Sequence, residues 1–354
     1  MWMISMKGVM KMNEVIYSNR LLWEPCGQYT HHRIPGMLVT NKGTLLTYCE
    51  ARTNLNDWAL MDVILQRSED QGQSFGEPVV LATGDANHKT VNNPVMMQDK
   101  NGRIHFLYCE DYGINGGKIY RRYSDDDGVT WSDKIDITYA TMPDYRNAFA
   151  IGPGHGICTS SGMLVVPIWL VPKRYGAKLT AHLPSEISTL YSVDNGETWK
   201  IGDLLGNTDE VISPNETAVA ETADGGVYLS IRHLSMQRAV AYSKSGYSNW
   251  YDYHADYRLD DPQCFGSVIS YCDEKHPHVL LFANCDTKET RRNVSVKVST
   301  DDGKTWSQGK VIDAIDGGYV EMIADEKNGL IYVLYEKKGG ITDHLATFNY
   351  EWLL

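Results

Sequence analysis

The chain predicts an all-β fold, a six-bladed β-propeller of four-stranded antiparallel blades joined by Asp-box hairpin turns. Three observations carry this expectation. An eight-residue pattern, Ser-x-Asp-x-Gly-x-Thr-Trp, begins at Ser124, Ser192 and Ser299, with a softened copy from Ser68 to Phe75 and a decayed one from Ser243 to Trp250. The five copies recur with a period of roughly 57 residues, so 354 residues hold about six units, within the range of propeller blades. Between the copies lie only short apolar or alternating runs rich in Val, Ile, Leu and Tyr, the mark of strands.

The repeated unit makes physical sense as a turn. Its Asp accepts hydrogen bonds from the turn's own amides, and its Gly takes the φ > 0 position. Its Trp staples the turn to the sheet. The strand-like runs follow in order at 36–40, 45–48, 63–66, 104–108, 163–168, 227–231, 279–282, 294–298 and 330–335. Gly152-Pro153-Gly154-His155-Gly156 lacks the Lys-Ser/Thr of a phosphate loop and reads as a tight turn, with His155 a satisfied structural histidine. No amphipathic helix stands out, and no Pro/Ser-rich linker divides the chain. One domain spanning 1–354 is expected, with no separate lectin module.

Composition narrows the function classes. A net charge of −12 argues against a nucleic-acid binder, which needs a basic surface to displace counterions. An anionic small ligand stays open if arginines gather in one cleft. The seven cysteines are odd in number and contain no CxxC pair, which reads as buried, reduced thiols. The start, Met1 to Lys11, is Met-rich without a cleavage site, and no run approaches the ~20 apolar residues of a membrane helix. A cytoplasmic monomer is the expectation. No HExxH or EF-hand loop is present, and the paired Asp residues of the repeats already serve as turn residues, so no metal or other cofactor is expected.

Arginines sit in comparable settings in different repeats. Arg33 opens one strand, Arg232 ends another and Arg291 precedes a third. In a propeller the innermost strands aim their ends at the central axis, so residues far apart in sequence converge on one funnel.

These residues, with the motifs around them, resemble the Asp-box sialidases (neuraminidases) of the bacterial type, from about Tyr29 to Glu336. The ordered features are Arg33-Ile34-Pro35, Glu50-Ala51-Arg52 followed by Asp57, then Asn93-Pro94 and Asn215-Glu216. Arg232 follows, then Gln263 to Val268, Arg291, Gly318-Tyr319 and Glu336. The resemblance implies an exo-α-sialidase acting on sialylated oligosaccharides or glycoconjugates. Arg33, Arg232 and Arg291 would clamp the carboxylate that a sialic acid carries on its anomeric carbon, through planar bidentate contacts. Arg292 competes for the third place. Glu336 would orient Arg33.

A carboxylate nucleophile would meet the substrate's own carboxylate, whereas a neutral phenol avoids that repulsion. Tyr319 would be the nucleophile, with Glu216 as its base. Asp57 would be the acid and then the base in a retaining reaction, with Asp62 as the alternative acid. Arg52 would reach the far hydroxyls or the N-acyl group, Asn93 the C4 side, and Trp169 a wall of the pocket. The chain departs from the family at His32 before Arg33, and at Trp169 and Val171 where tyrosines are common. The sugar could therefore be Kdn, Kdo or another nonulosonate. A non-catalytic carbohydrate-binding propeller is the rival from another class, although it would need only the arginines.

Overall fold

The computed structural model describes residues 14–85, 90–178 and 180–354; the Met-rich start lies outside them. Six antiparallel sheets form a six-bladed propeller. The first blade runs outward from the axis through His31–Val39, Leu45–Arg52, Met61–Ser68 and Val79–Thr83. The next four have Val91–Gln98, Arg146–Ile151, Thr217–Glu221 and Ser267–Tyr271 as inner strands. The sixth takes Val320–Asp325, Leu330–Lys337 and Thr342–Phe348 from the end of the chain and its outermost strand, Tyr17–Trp23, from the beginning. Backbone pairing of Tyr17 with Phe348 thus closes the ring non-covalently.

Both faces of each blade are covered by neighbouring blades, which is why the second strands are buried along their whole length rather than at alternate residues. All residues of Leu45–Arg52 and Leu164–Pro172 are buried. The apolar clusters lie between blades. Leu46, Tyr48 and Leu65 of the first blade pack with Met96, Phe106 and Tyr108 of the second. Val240 and Tyr242 of the fourth pack with Val268 and Phe282 of the fifth. Each fully buried Leu, Val or Phe contributes on the order of 1.5–3 kcal/mol. All seven cysteines are free, as their number suggested, but only Cys49, Cys109, Cys264 and Cys285 are buried; Cys158 is half-buried and Cys26 and Cys272 are exposed. No helix among the described residues is long and apolar enough to cross a membrane.

The repeats form the turns between third and fourth strands. In each of the four full or softened copies the Ser hydroxyl accepts the Gly amide, as at Gly196 N to Ser192 Oγ, 2.8 Å. The Asp carboxylate accepts both the amide and the hydroxyl four residues on, as Thr198 does with Asp194 at 2.9 and 2.6 Å. The glycines sit at φ near 80° and press against the preceding blade. A Cβ on Gly196 would lie 2.5 Å from His105, and one on Gly303 2.9 Å from Tyr228. The decayed copy keeps the hydroxyl anchor, Gly246 N to Ser243 Oγ at 3.0 Å, with Ser245 in place of Asp. Six blades carry five copies because the sixth blade's outer strand comes from the other end of the chain, so no hairpin joins its third strand to its fourth.

One expectation is corrected. The Gly152-to-Gly156 stretch is not a tight turn. Between Arg146–Ile151 and Ile157–Cys158 of the third blade, Gly154–His155 runs as a short strand parallel to Val95–Met96, along the second blade's inner edge. The structural role of His155 holds: it is buried and hydrogen-bonded to Glu321.

Candidate active site

In a four-stranded antiparallel blade, the turns after the first and third strands lie at one end. The turn after the second strand and the link into the next blade lie at the other. The repeat turns occupy the former end together with the turns after the first strands, and the loops after the second strands gather with the inter-blade links at the opposite one. There they enclose a cleft of about 390 Å³ lined by residues of every blade. Arg33, Arg52, Asp57, Asn93, Trp169, Glu216, Arg232, Arg291 and Tyr319 all line it.

Two inner strands reach the cleft through the same device. Pairing with the second strand shifts between Arg33 and Gly36 in the first blade, and between Asn92 and Val95 in the second. Each irregularity carries a residue at positive φ followed by proline, Ile34 (φ 57) before Pro35 and Asn93 (φ 51) before Pro94. A β-branched residue at positive φ is strained, and such strain persists where tertiary contacts hold it. At Ile34 the contact is its amide, which donates to Glu336 Oε1 at 3.0 Å.

The floor is a buried network. The Tyr319 hydroxyl donates to Glu216 Oε1 at 2.6 Å and accepts from Arg232 Nη1 at 2.8 Å. Arg232 also pairs with the second oxygen of Glu216. The guanidinium groups of Arg33 and Arg291 stand 5.2 and 5.3 Å from the centre of the Tyr319 ring. Three cations from three blades therefore surround one phenol. Arg33 is buried, Arg232 partly so, and Arg291 is the most open. Burial pushes the Tyr319 hydroxyl well above the ordinary tyrosine range, and Glu216 adds to this against the opposing pull of the arginines. The phenol is neutral at rest.

Glu336 does not line the cleft but sits behind it, receiving Arg33 Nε at 2.9 Å. Burial alone would raise its carboxyl, yet Arg33 outweighs it and the group lies below the usual range. Arg52 lines the wall, but its guanidinium is committed to Glu50 and to Asp57 (2.8 Å), rather than free for a ligand's far hydroxyls. Asn93 spends its side-chain amide on the carbonyl of Ile151. Asp57 stands on the loop after Leu45–Arg52, its side chain two-fifths exposed. Burial raises its carboxyl, but Arg52, with help from Arg33 and His182, brings it below the ordinary value.

The competing candidates lie elsewhere. Arg292 is absent from the lining. Asp62 sits on Met61–Ser68, bonded to the Tyr29 hydroxyl and the Gly84 amide. Val171 is buried in the core between blades.

Sequence reading missed part of one wall. Tyr112 ends its strand beside the cleft, and His182 and Leu183 descend from the loop after Leu164–Pro172. Tyr112, Trp169 and His182 pack with ring centres 5.6 to 5.9 Å apart, and Trp58 stacks on Tyr112. No motif marks Tyr112 or His182. Only their place at the end of a blade's second strand, for Tyr112, and in the loop after one, for His182, could have pointed to them.

Comparison with known proteins agrees with this geometry. Residues 43–333 match the BNR repeat-like domain. The chain is 28% identical to an exo-alpha-sialidase of Arthroderma benhamiae, over 91% of this chain and 84% of that protein. It is 28% identical to a sialidase of Bacteroides fragilis over 85% of this chain, but only 59% of that longer protein. Among solved structures, a Hadza microbial sialidase superposes with a TM-score of 0.80 at 25% identity, covering 92% of this chain and 67% of the other. The chain belongs to the BNR-repeat family and, within it, to the Asp-box sialidases, which are glycoside hydrolases.

Proposed function

We propose that the protein is an exo-acting α-sialidase that releases terminal sialic acid with retention of configuration through a tyrosyl-enzyme intermediate. The observation that carries this reading is the Tyr319 hydroxyl, hydrogen-bonded to Glu216 on a cleft floor ringed by Arg33, Arg232 and Arg291.

The steps follow from the positions. The three arginines bind the sugar carboxylate, which brings the anomeric carbon over Tyr319. A phenol is a poor nucleophile at neutral pH, so Glu216 accepts its proton as the oxygen attacks C2. Arg232, bonded to both Tyr319 and Glu216, stabilises the charge passing between them. Asp57, at the cleft mouth, protonates the departing glycosidic oxygen. It then takes a proton from the water that attacks C2 as the tyrosyl–sugar bond breaks, while Glu216 returns its proton to the departing phenol oxygen. The nucleophile carries no charge before attack, so it does not repel the substrate's carboxylate.

The test is release of 4-methylumbelliferone from its α-glycosides of Neu5Ac, Neu5Gc, Kdn and Kdo. Turnover of a sialic acid substrate supports the reading. Cleavage of Kdn or Kdo with Neu5Ac untouched moves the activity to another nonulosonate. Binding without turnover of any of them makes the protein a carbohydrate-binding propeller.

A further inference from the structure

We propose that His182 is a positioning residue for the acid step, holding the proton that Asp57 delivers to the leaving group; this rests on the sialidase reading above. Asp57 has two oxygens with different neighbours. Oδ1 is taken by Arg52 at 2.8 Å, and Oδ2 faces Nε2 of His182 at 3.9 Å. The imidazole is held there from two sides. Its ring packs against Trp58, Tyr112 and Trp169 with centroids 5.6 to 5.9 Å away. The backbone carbonyl of His182 receives Asn215 Nδ2 at 3.4 Å, which ties its loop to the residue before Glu216. A histidine kept only for packing would have no reason to present a ring nitrogen to the one cleft carboxylate that faces solvent.

The chemistry needs such a partner. A carboxyl beside Arg52 and Arg33 is held below its ordinary value and is empty of its proton under mild conditions. An acid must carry a proton when the bond breaks. Once brought to hydrogen-bond length, a carboxylate and an imidazole share one proton over a wider pH range than the carboxylate alone, as coupled sites do. The charged groups facing the imidazole are Asp57 and Glu216, which favour its cation, and Arg232, which opposes it; Tyr112 faces it as a neutral phenol. Burial is the larger influence and lowers the imidazole below its usual value, so the pair is loaded on the acidic side of neutrality.

The transfer balances. The N–H bond of the imidazolium breaks as an O–H bond forms on Asp57. That proton passes to the glycosidic oxygen as the C2–O bond breaks, its electron pair going to the leaving oxygen. When Asp57 later takes a proton from the attacking water, it returns one to the imidazole. The gap of 3.9 Å closes to hydrogen-bond length by a ring rotation once substrate fills the cleft.

The experiment compares wild type with His182→Phe, which keeps the ring packing, and His182→Gln, which keeps a donor that does not titrate. Each is assayed across pH on 3′-sialyllactose, whose sugar leaving group needs a proton, and on the 4-methylumbelliferyl sialoside, whose phenol does not. Both variants should lose at least about tenfold in kcat/KM on 3′-sialyllactose, with the basic limb moved to lower pH, and less than about threefold on the aryl sialoside. Equal losses on the two substrates with an unmoved limb, or wild-type profiles throughout, would overturn the proposal. Wild type that cleaves neither substrate overturns the sialidase reading instead.

Discussion

The backbone amide of Tyr319 donates to Glu336 Oε2 at 3.1 Å, while the other oxygen of that carboxylate holds Arg33 Nε at 2.9 Å. One buried side chain thus sets the distance between a clamp arginine and the phenol. Gly318 fits beside it only because it lacks a side chain, since a Cβ there would come within 2.5 Å of the Glu336 carboxylate.

Loss of this carboxylate should be read first in stability. Glu336→Gln keeps the shape but leaves buried Arg33 without its counter-charge, a change expected to cost about 3 kcal/mol. Because Arg33 depresses the folded Glu336 carboxyl, its stabilisation is fully present above the unfolded value of about pH 4.3 and is lost as pH falls through the lower folded value. Melting curves of wild type and variant should therefore lie far apart at neutral pH and converge in acid. A gap that stays constant down to the acid limit would contradict this.

Tyr319→Phe removes the hydroxyl shared by Glu216 and Arg232 and nothing else from the cleft floor. Turnover of an aryl sialoside should fall by roughly a thousandfold or more. Calorimetric affinity for the planar 2,3-dehydro sialic acid should stay within several-fold of wild type. Equal losses in both would make Tyr319 a binding residue only.

Arg291→Ala should weaken both that affinity and kcat/KM, by about 2 kcal/mol or roughly thirtyfold for one charge-assisted contact. Arg292→Ala, outside the cleft, should leave both unchanged. The opposite pattern would place the clamp one residue further on.

Asp194→Ala deletes the acceptor of Thr198 at the end of the propeller away from the cleft. The expected outcome is a loss of about 1–2 kcal/mol in unfolding free energy. kcat/KM should stay at its wild-type value, and a fall in it at unchanged stability would show that the two ends are coupled.

The turn repeats and the blade count were legible in the sequence for a local reason. Each turn satisfies its hydrogen bonds within a few residues, so Ser192, Asp194, Gly196 and Thr198 carry their geometry in their spacing. The apolar strand runs mark where blades must cover each other. Three decisions belonged to the tertiary structure. The direction in which Val294–Ser299 leaves its preceding loop decided that Arg291, not Arg292, lines the cleft. Ring closure by Tyr17–Trp23 decided that six blades show five turns. The aromatic wall of Trp58, Tyr112, Trp169 and His182 draws on three blades, and no one segment holds a pattern for contacts made across the sequence. Hydrogen bonds that close within a turn leave their mark on neighbouring residues, whereas convergence on an axis leaves its mark only in space.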